Sequence, residues 1–141
     1  MPAPSEHVDR LRRLFDGVWN GEDPSVAESL VHPDYLIHDR ALAEERRGPT
    51  LYRALADGTR EAFPDMAFAV EDTVAQGNRV ALRWTMTGTH EGSIMGEEPT
   101  GEAVELAAVE INRFEDGLLA ETWTQSDMLG LLEQVGALPD R

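Results

Sequence analysis

The feature that most limits what this chain can fold into is a change of hydrophobic period near Pro64. Before it, apolar residues recur at helical spacing. From Glu6 to Asn20 they fall at Val8, Leu11, Leu14, Phe15, Val18 and Trp19, one face of a helix. Ser5 is the expected N-cap and Asn20-Gly21 the stop. A short second helix is expected after Asp23-Pro24, with Val26, Leu30 and Val31 inward, ending before His32-Pro33. Tyr35-Leu36-Ile37-His38 reads as a short extended piece. Gly48-Pro49-Thr50 then opens a third helix, with Leu51, Leu55, Ala62 and Phe63 near one stripe, closed by Pro64-Asp65.

Beyond that point the pattern alternates as strands do. Phe68, Val70 and Asp72 lead to a turn at Gln76-Gly77-Asn78. In the next segment, Arg79 to His90, Val80, Leu82, Trp84 and Met86 alternate with Arg83, Thr85 and Thr87. Gly88, Gly92, Gly96 and Gly101 punctuate a long connection without phosphate-loop spacing. A strand follows from Ala103 to Phe114, whose apolar parity moves from Val104, Leu106 and Ala108 to Val109 and Ile111. That shift predicts a bulge near Ala107-Ala108. Glu115-Asp116-Gly117 is a hairpin turn, Leu118 to Gln125 the last strand, and Asp127 to Val135 a closing helix ended by Gly136. Helices first and a curved antiparallel sheet after them make the fold class α+β.

A length of 141 residues suits one domain, 1–141, with a core of its own. The residue inventory removes whole classes of chemistry. There is no cysteine, hence no disulfide, thiolate nucleophile or iron–sulfur site, and all twelve basic residues are arginine. Without lysine there is neither a Schiff base nor a P-loop. A net charge of −15 repels phosphate backbones and anionic lipid, so neither nucleic acid nor membrane is an expected partner. The opening Met1-Pro2-Ala3-Pro4-Ser5-Glu6-His7 lacks the basic and apolar regions of a secretion signal, and a cytoplasmic protein is the expectation.

Several pieces taken in order resemble a known family: His32-Pro33-Asp34-Tyr35-Leu36, then Gly88-Thr89-His90-Glu91-Gly92 with Gly96 and Pro99-Thr100-Gly101. Arg113, Asp116-Gly117, Glu121, Trp123, Asp127, Gly130, Leu131 and Gln134-Val135-Gly136 extend the likeness over nearly the whole chain. The chain is similar to the SnoaL-like polyketide cyclases of the nuclear-transport-factor-2-like superfamily. That resemblance implies a cone-shaped barrel packed on N-terminal helices, a mostly apolar cavity, and a homodimer through the outer sheet face. It also implies an apolar, carbonyl-bearing small molecule as ligand, no metal or cofactor, and intramolecular aldol chemistry with one acidic side chain moving protons. The family's acid/base aspartate falls on Thr124, and a second polar pocket position, often histidine, falls on Glu110. A threonine hydroxyl cannot take a carboxylate's place as proton acceptor near neutral pH.

The candidates follow. Glu110 interrupts an apolar strand. It either faces a cavity, where desolvation would lift its pKa toward that of a working base, or lies outside against Arg83 or Arg113. His38 and His90 are candidates to polarise a carbonyl, or else are ordinary rim and loop histidines. Asp39 stands beside His38, though adjacent strand residues point to opposite faces. Trp84 and Trp123 could stack on a flat ligand, or serve core and interface. Tyr35, Tyr52, Met66, Met86 and Met95 could supply an adaptable lining, with Thr124 among the ligand-binding residues. Asp127 reads as a helix cap, and the glycine-rich connection as a lid at the cavity mouth. Two functions stay open: a cyclase or isomerase working by proton transfer from Glu110, and a non-catalytic ligand-binding or assembly module, which Thr124 favours. A hydrolase with an Asp-Arg-Asp set has no clear equivalent here.

Overall fold

A helical layer covers one face of a five-stranded sheet in the computed structural model, which describes residues 2–38 and 46–137. Helix α1 (Pro4–Leu14) starts one residue before Ser5: Ala3 is the N-cap and Pro4 the first helical residue. Proline there loses no helical hydrogen bond, because the first N–H groups have no partner within the helix. The helix runs into a π-turn, Phe15–Trp19, closed by the Asn20 N–H on the Phe15 carbonyl at 2.8 Å. The added residue per turn changes the direction of the following side chains and carries Trp19 to the interior wall. Asn20 then pairs its amide with both backbone groups of Phe68, at 2.7 and 3.0 Å, as a neighbouring strand would. Helix α2 (Val26–Leu30) and helix α3 (Gly48–Ala62) complete the layer.

The strands are β1 (Val31–His38), β2 (Ala67–Gln76), β3 (Arg79–Thr89), β4 (Ala103–Glu115) and β5 (Leu118–Ser126), and helix α4 (Met128–Gln134) closes the chain. Their order in the sheet is β1-β5-β4-β3-β2. Three neighbouring pairs are antiparallel, as the alternating segments imply, but β1 runs parallel to β5. This makes the sheet mixed. β1 precedes α3 in the chain, so it reaches the far edge by a crossover, and crossovers produce parallel neighbours. Irregular pairing between Val70 and Asp72 and between Arg113 and Phe114 helps the long strands curl around the core.

The expected bulge near Ala107-Ala108 does not form. Against β3 the register is unbroken from Ala103 to Arg113. Positions 104, 106, 108, 110, 112 and 114 therefore all face inward, while Val109 and Ile111 lie outside, 54% and 44% exposed. The parity shift reflects a swap of polarity between faces. At Glu110 and Asn112 the strand turns polar groups inward and apolar ones outward. Asp127 caps α4 as expected, accepting the Gly130 N–H at 2.9 Å.

Candidate active site

Between the helices and the sheet lies a cavity of about 490 Å³. Part of its lining is an aromatic belt assembled from five separate elements of the chain: Tyr35 meets Tyr52 edge-on at 5.5 Å, Tyr52 meets Trp19 at 5.9 Å, and Phe68 touches both Trp19 and Trp84 at 5.0 Å. Met86, also on β3, is fully buried and lines the cavity. Ser93, Ile94 and Met95, from the glycine-rich connection, line the same space, so this loop borders the cavity. Gly92 lets it sit there: its N–H and that of Glu91 bond the Ala62 carbonyl at the end of α3. A Cβ at position 92 would collide with the Glu61 carbonyl.

Next to this belt the sheet carries a polar strip, formed by cross-strand neighbours of β4 and β5. Glu110 stands opposite Thr124, Asn112 opposite Thr122, and Ala108 opposite Ser126. Because β4 keeps strict alternation, Glu110 and Asn112 share the inward face. Glu110 is 8% exposed and is the only carboxylate among the described residues lining the cavity. Burial pushes its pKa up to about 8, although the Asn112 side chain, hydrogen-bonded to it, works in the other direction. Neither Arg83 nor Arg113 neutralises it; Arg113 binds Glu121 at 3.0 Å. Behind it the hydrogen bonds run in one direction. Tyr35 Oη donates to Thr122 Oγ1 at 3.0 Å, Thr122 Oγ1 donates to Asn112 Oδ1 at 2.8 Å, and the Asn112 amide donates to the Val80 carbonyl. An asparagine whose oxygen already accepts from threonine presents its amide hydrogens to the carboxylate.

The sequence candidates divide sharply. Glu110, Trp84, Met86, Tyr35, Tyr52, Met95 and Thr124 line the cavity. Met66 is buried in the core outside the cavity lining. His38 and Trp123 lie on the outer face. On β1, Tyr35 and Ile37 point inward, so His38, one residue further, points out; Trp123 does so between Thr122 and Thr124. There the His38 ring stacks on Trp123 at 5.3 Å, its Nε2 lies 2.6 Å from Glu121, and the Arg79 guanidinium lies over the same Trp123 ring. Burial raises the Glu121 pKa, but hydrogen bonds from His38 and Arg113 outweigh this and hold it below the usual value. Asp39 lies outside the described residues.

His90 is fully buried but does not line the cavity. It closes the base of the glycine-rich loop. Its N–H bonds Glu102, its carbonyl accepts from Gly101, and its Nδ1 accepts the Thr100 N–H at 3.3 Å, with the ring tilted on Phe63. Glu110, His38 and His90 therefore do not converge. The polar groups that line the cavity with Glu110 instead include Asn112, Thr122 and Trp19. Sequence reasoning missed these three, although unbroken alternation from Glu110 would have found Asn112.

The same architecture occurs in known proteins. The chain is 25% identical to the aklanonic acid methyl ester cyclase AcmA of Streptomyces galilaeus over 133 residues, 94% of this chain and 92% of AcmA. The structure of TsrD from Streptomyces laurentii superposes with a TM-score of 0.86 at 27% identity, covering 98% of this chain and 100% of that one. AclR, a proposed hydroxylase from S. galilaeus, gives 0.82 at 33% identity, covering 99% and 86%. IdmH, a proposed polyketide cyclase from Streptomyces antibioticus, gives 0.79 at 32% identity, covering 92% and 98%. Residues 9–135 match the sequence profile of the SnoaL-like polyketide cyclases, and with the helix-covered curved sheet and the cavity it encloses, the chain belongs to that family.

Proposed function

We propose that this protein moves protons on an apolar, carbonyl-bearing small molecule held in the cavity, closing a ring by aldol addition or shifting a double bond through an enolate. The observation that carries this reading is Glu110, the only carboxylate among the described residues lining the cavity, buried there with a pKa of about 8. A base works best when its pKa lies near the operating pH, because it is then both available and strong enough. In this reading Glu110 takes a proton α to the ligand carbonyl and returns it to the oxygen of the carbonyl attacked. The aromatic belt holds the flat part of the ligand. The resemblance puts Thr124 at the position of the family's aspartate; Thr124 stands beside Glu110 on the neighbouring strand, and in this reading Glu110 takes over the proton transfer in the same space.

The cyclase names of AcmA and IdmH support ring closure, whereas AclR is described as a hydroxylase. A second reading, binding without turnover, is favoured by Thr124. Deuterium exchange separates them. Incubated in heavy water with 2-acetonaphthone, the protein is expected to speed deuterium incorporation α to the carbonyl, followed by NMR. Saturable binding without exchange supports the binding module. His38→Ala is expected to leave exchange unchanged, because the imidazole lies on the outer face; a large loss in that variant overturns this placement of the chemistry.

The outer face supports the expected homodimer. Val109 and Ile111 expose apolar surface there beside Trp123. Ile111→Glu is expected to shift sedimentation from dimer to monomer. A wild-type chain that sediments as a monomer would remove this proposal.

A further inference from the structure

We propose that Tyr52 is a second catalytic residue of this cavity, its phenolic O–H donating the hydrogen bond that holds the ligand's carbonyl oxygen and the enolate formed from it, with Trp19 as the residue that positions it. The step it assists rests on the reading of Glu110 as base.

The argument is one of proton direction. An indole N–H can only donate, and Trp19 Nε1 lies 2.8 Å from Tyr52 Oη. The tyrosine oxygen must therefore accept in this bond, and its own proton is not used there. Among the described residues no acceptor takes that proton. Tyr35 is different: it spends its proton on Thr122 and has none to offer. Tyr52 is 4% exposed and lines the cavity, and a buried hydroxyl without an acceptor is costly. A ligand oxygen in the cavity removes that cost. Accepting from Trp19 also polarises the phenol and strengthens its donation. Burial, with further contributions from Tyr35 and the Glu110 charge, raises the Tyr52 pKa well above 10, so it remains a donor through the working pH range.

The placement suits the chemistry. Tyr52 comes from α3 in the helical layer, whereas Glu110 comes from β4 in the sheet, so a ligand between the layers meets a donor on one side and a base on the other. Glu110 removes the α-proton, the C–H electron pair forms the C=C bond of the enolate, and the carbonyl π pair moves onto oxygen, which accepts the hydrogen bond that the Tyr52 O–H donates. The enolate carbon attacks a second carbonyl of the same molecule, forming one C–C bond. That carbonyl's π pair becomes an alkoxide, which takes the proton back from Glu110. Donors preorganised at a developing oxyanion supply much of the rate in such steps.

The test uses the full chain and 2-acetonaphthone labelled with carbon-13 at the carbonyl, read by the infrared carbonyl stretch during titration. In the wild type the stretch is expected below its value in hydrocarbon. Tyr52→Phe should return it toward that value and weaken Kd roughly five- to tenfold, the loss of one neutral hydrogen bond. Trp19→Phe should keep the ketone bound while giving up part of the shift, and it decides the question if Tyr52→Phe does not fold. Glu110→Gln should leave the shift in place. The proposal is overturned by a wild type that does not bind the ketone saturably or leaves its stretch unshifted. A shift that survives Tyr52→Phe, one untouched by Trp19→Phe, or one abolished by Glu110→Gln overturns it equally. The base assignment fails separately, through exchange that persists in Glu110→Gln while the carbonyl shift behaves as expected.

Discussion

Glu110→Gln is expected to reduce α-proton exchange by about a hundred- to ten-thousandfold, the usual range for losing a positioned general base. Glutamine keeps the size of the side chain and the hydrogen bond with Asn112 but cannot accept a proton. The wild-type rate should climb with pH as the carboxyl ionises and level off above a pKa of about 8. Most exposed glutamates would level off near their ordinary value of 4.5, so the position of the plateau reports burial in the cavity. Exchange at the wild-type rate in the variant, or a plateau already reached at pH 5 to 6, would take Glu110 out of the mechanism.

The second large effect concerns stability. Glu110 binds its proton more tightly in the folded chain, at about 8, than in the unfolded chain, near 4.5. Below pH 4.5 both states hold the proton and the favourable burial of a neutral carboxyl is fully present. Between pH 4.5 and 8 the unfolded state sheds its proton first, so stability falls as pH rises, and above 8 the loss is complete. The difference of pKa corresponds to on the order of 5 kcal/mol. Glu110→Gln should remove this slope, leaving the variant close to wild type in acid and more stable above pH 8 in urea unfolding. The comparison between the two proteins is the informative quantity, because His7 and Glu121 add pH dependence of their own: burial lowers the His7 pKa, and its neutral form is lost only in acid. Parallel stability curves for wild type and variant would show that Glu110 meets water in solution.

Much of the architecture could be read from spacing. The helices, the four segments from Phe68 onward and the hairpin turn at Asp116-Gly117 follow from a period that changes once, and the cap at Asp127 from its place before an apolar run. What failed did so for identifiable reasons. A bulge at Ala107-Ala108 follows only if the apolar side of β4 stays inward throughout, whereas a strand lining a polar strip keeps its register and reverses its polarity instead. Residue chemistry alone pairs His38 and His90 with Glu110, and position in the fold separates them. A one-residue offset on β1 sends His38 outward, and His90 is taken up by the base of its loop.

The sequence by itself determined the α+β order, the absence of thiol and lysine chemistry, the acidic surface, and Glu110 as the residue whose orientation mattered most. These are local or additive properties, carried by each residue type and its neighbours along the chain. Only the tertiary structure decided which polar groups face one another. Glu110 acquires its shifted pKa from desolvation by distant segments; Thr122 joins Asn112 behind it through pairing across strands; and Trp19 reaches Tyr52, 33 residues away, because a π-turn redirects the end of the first helical segment. Desolvation, cross-strand register and proton direction depend on contacts between remote parts of the chain, and hydrophobic periodicity carries no record of them.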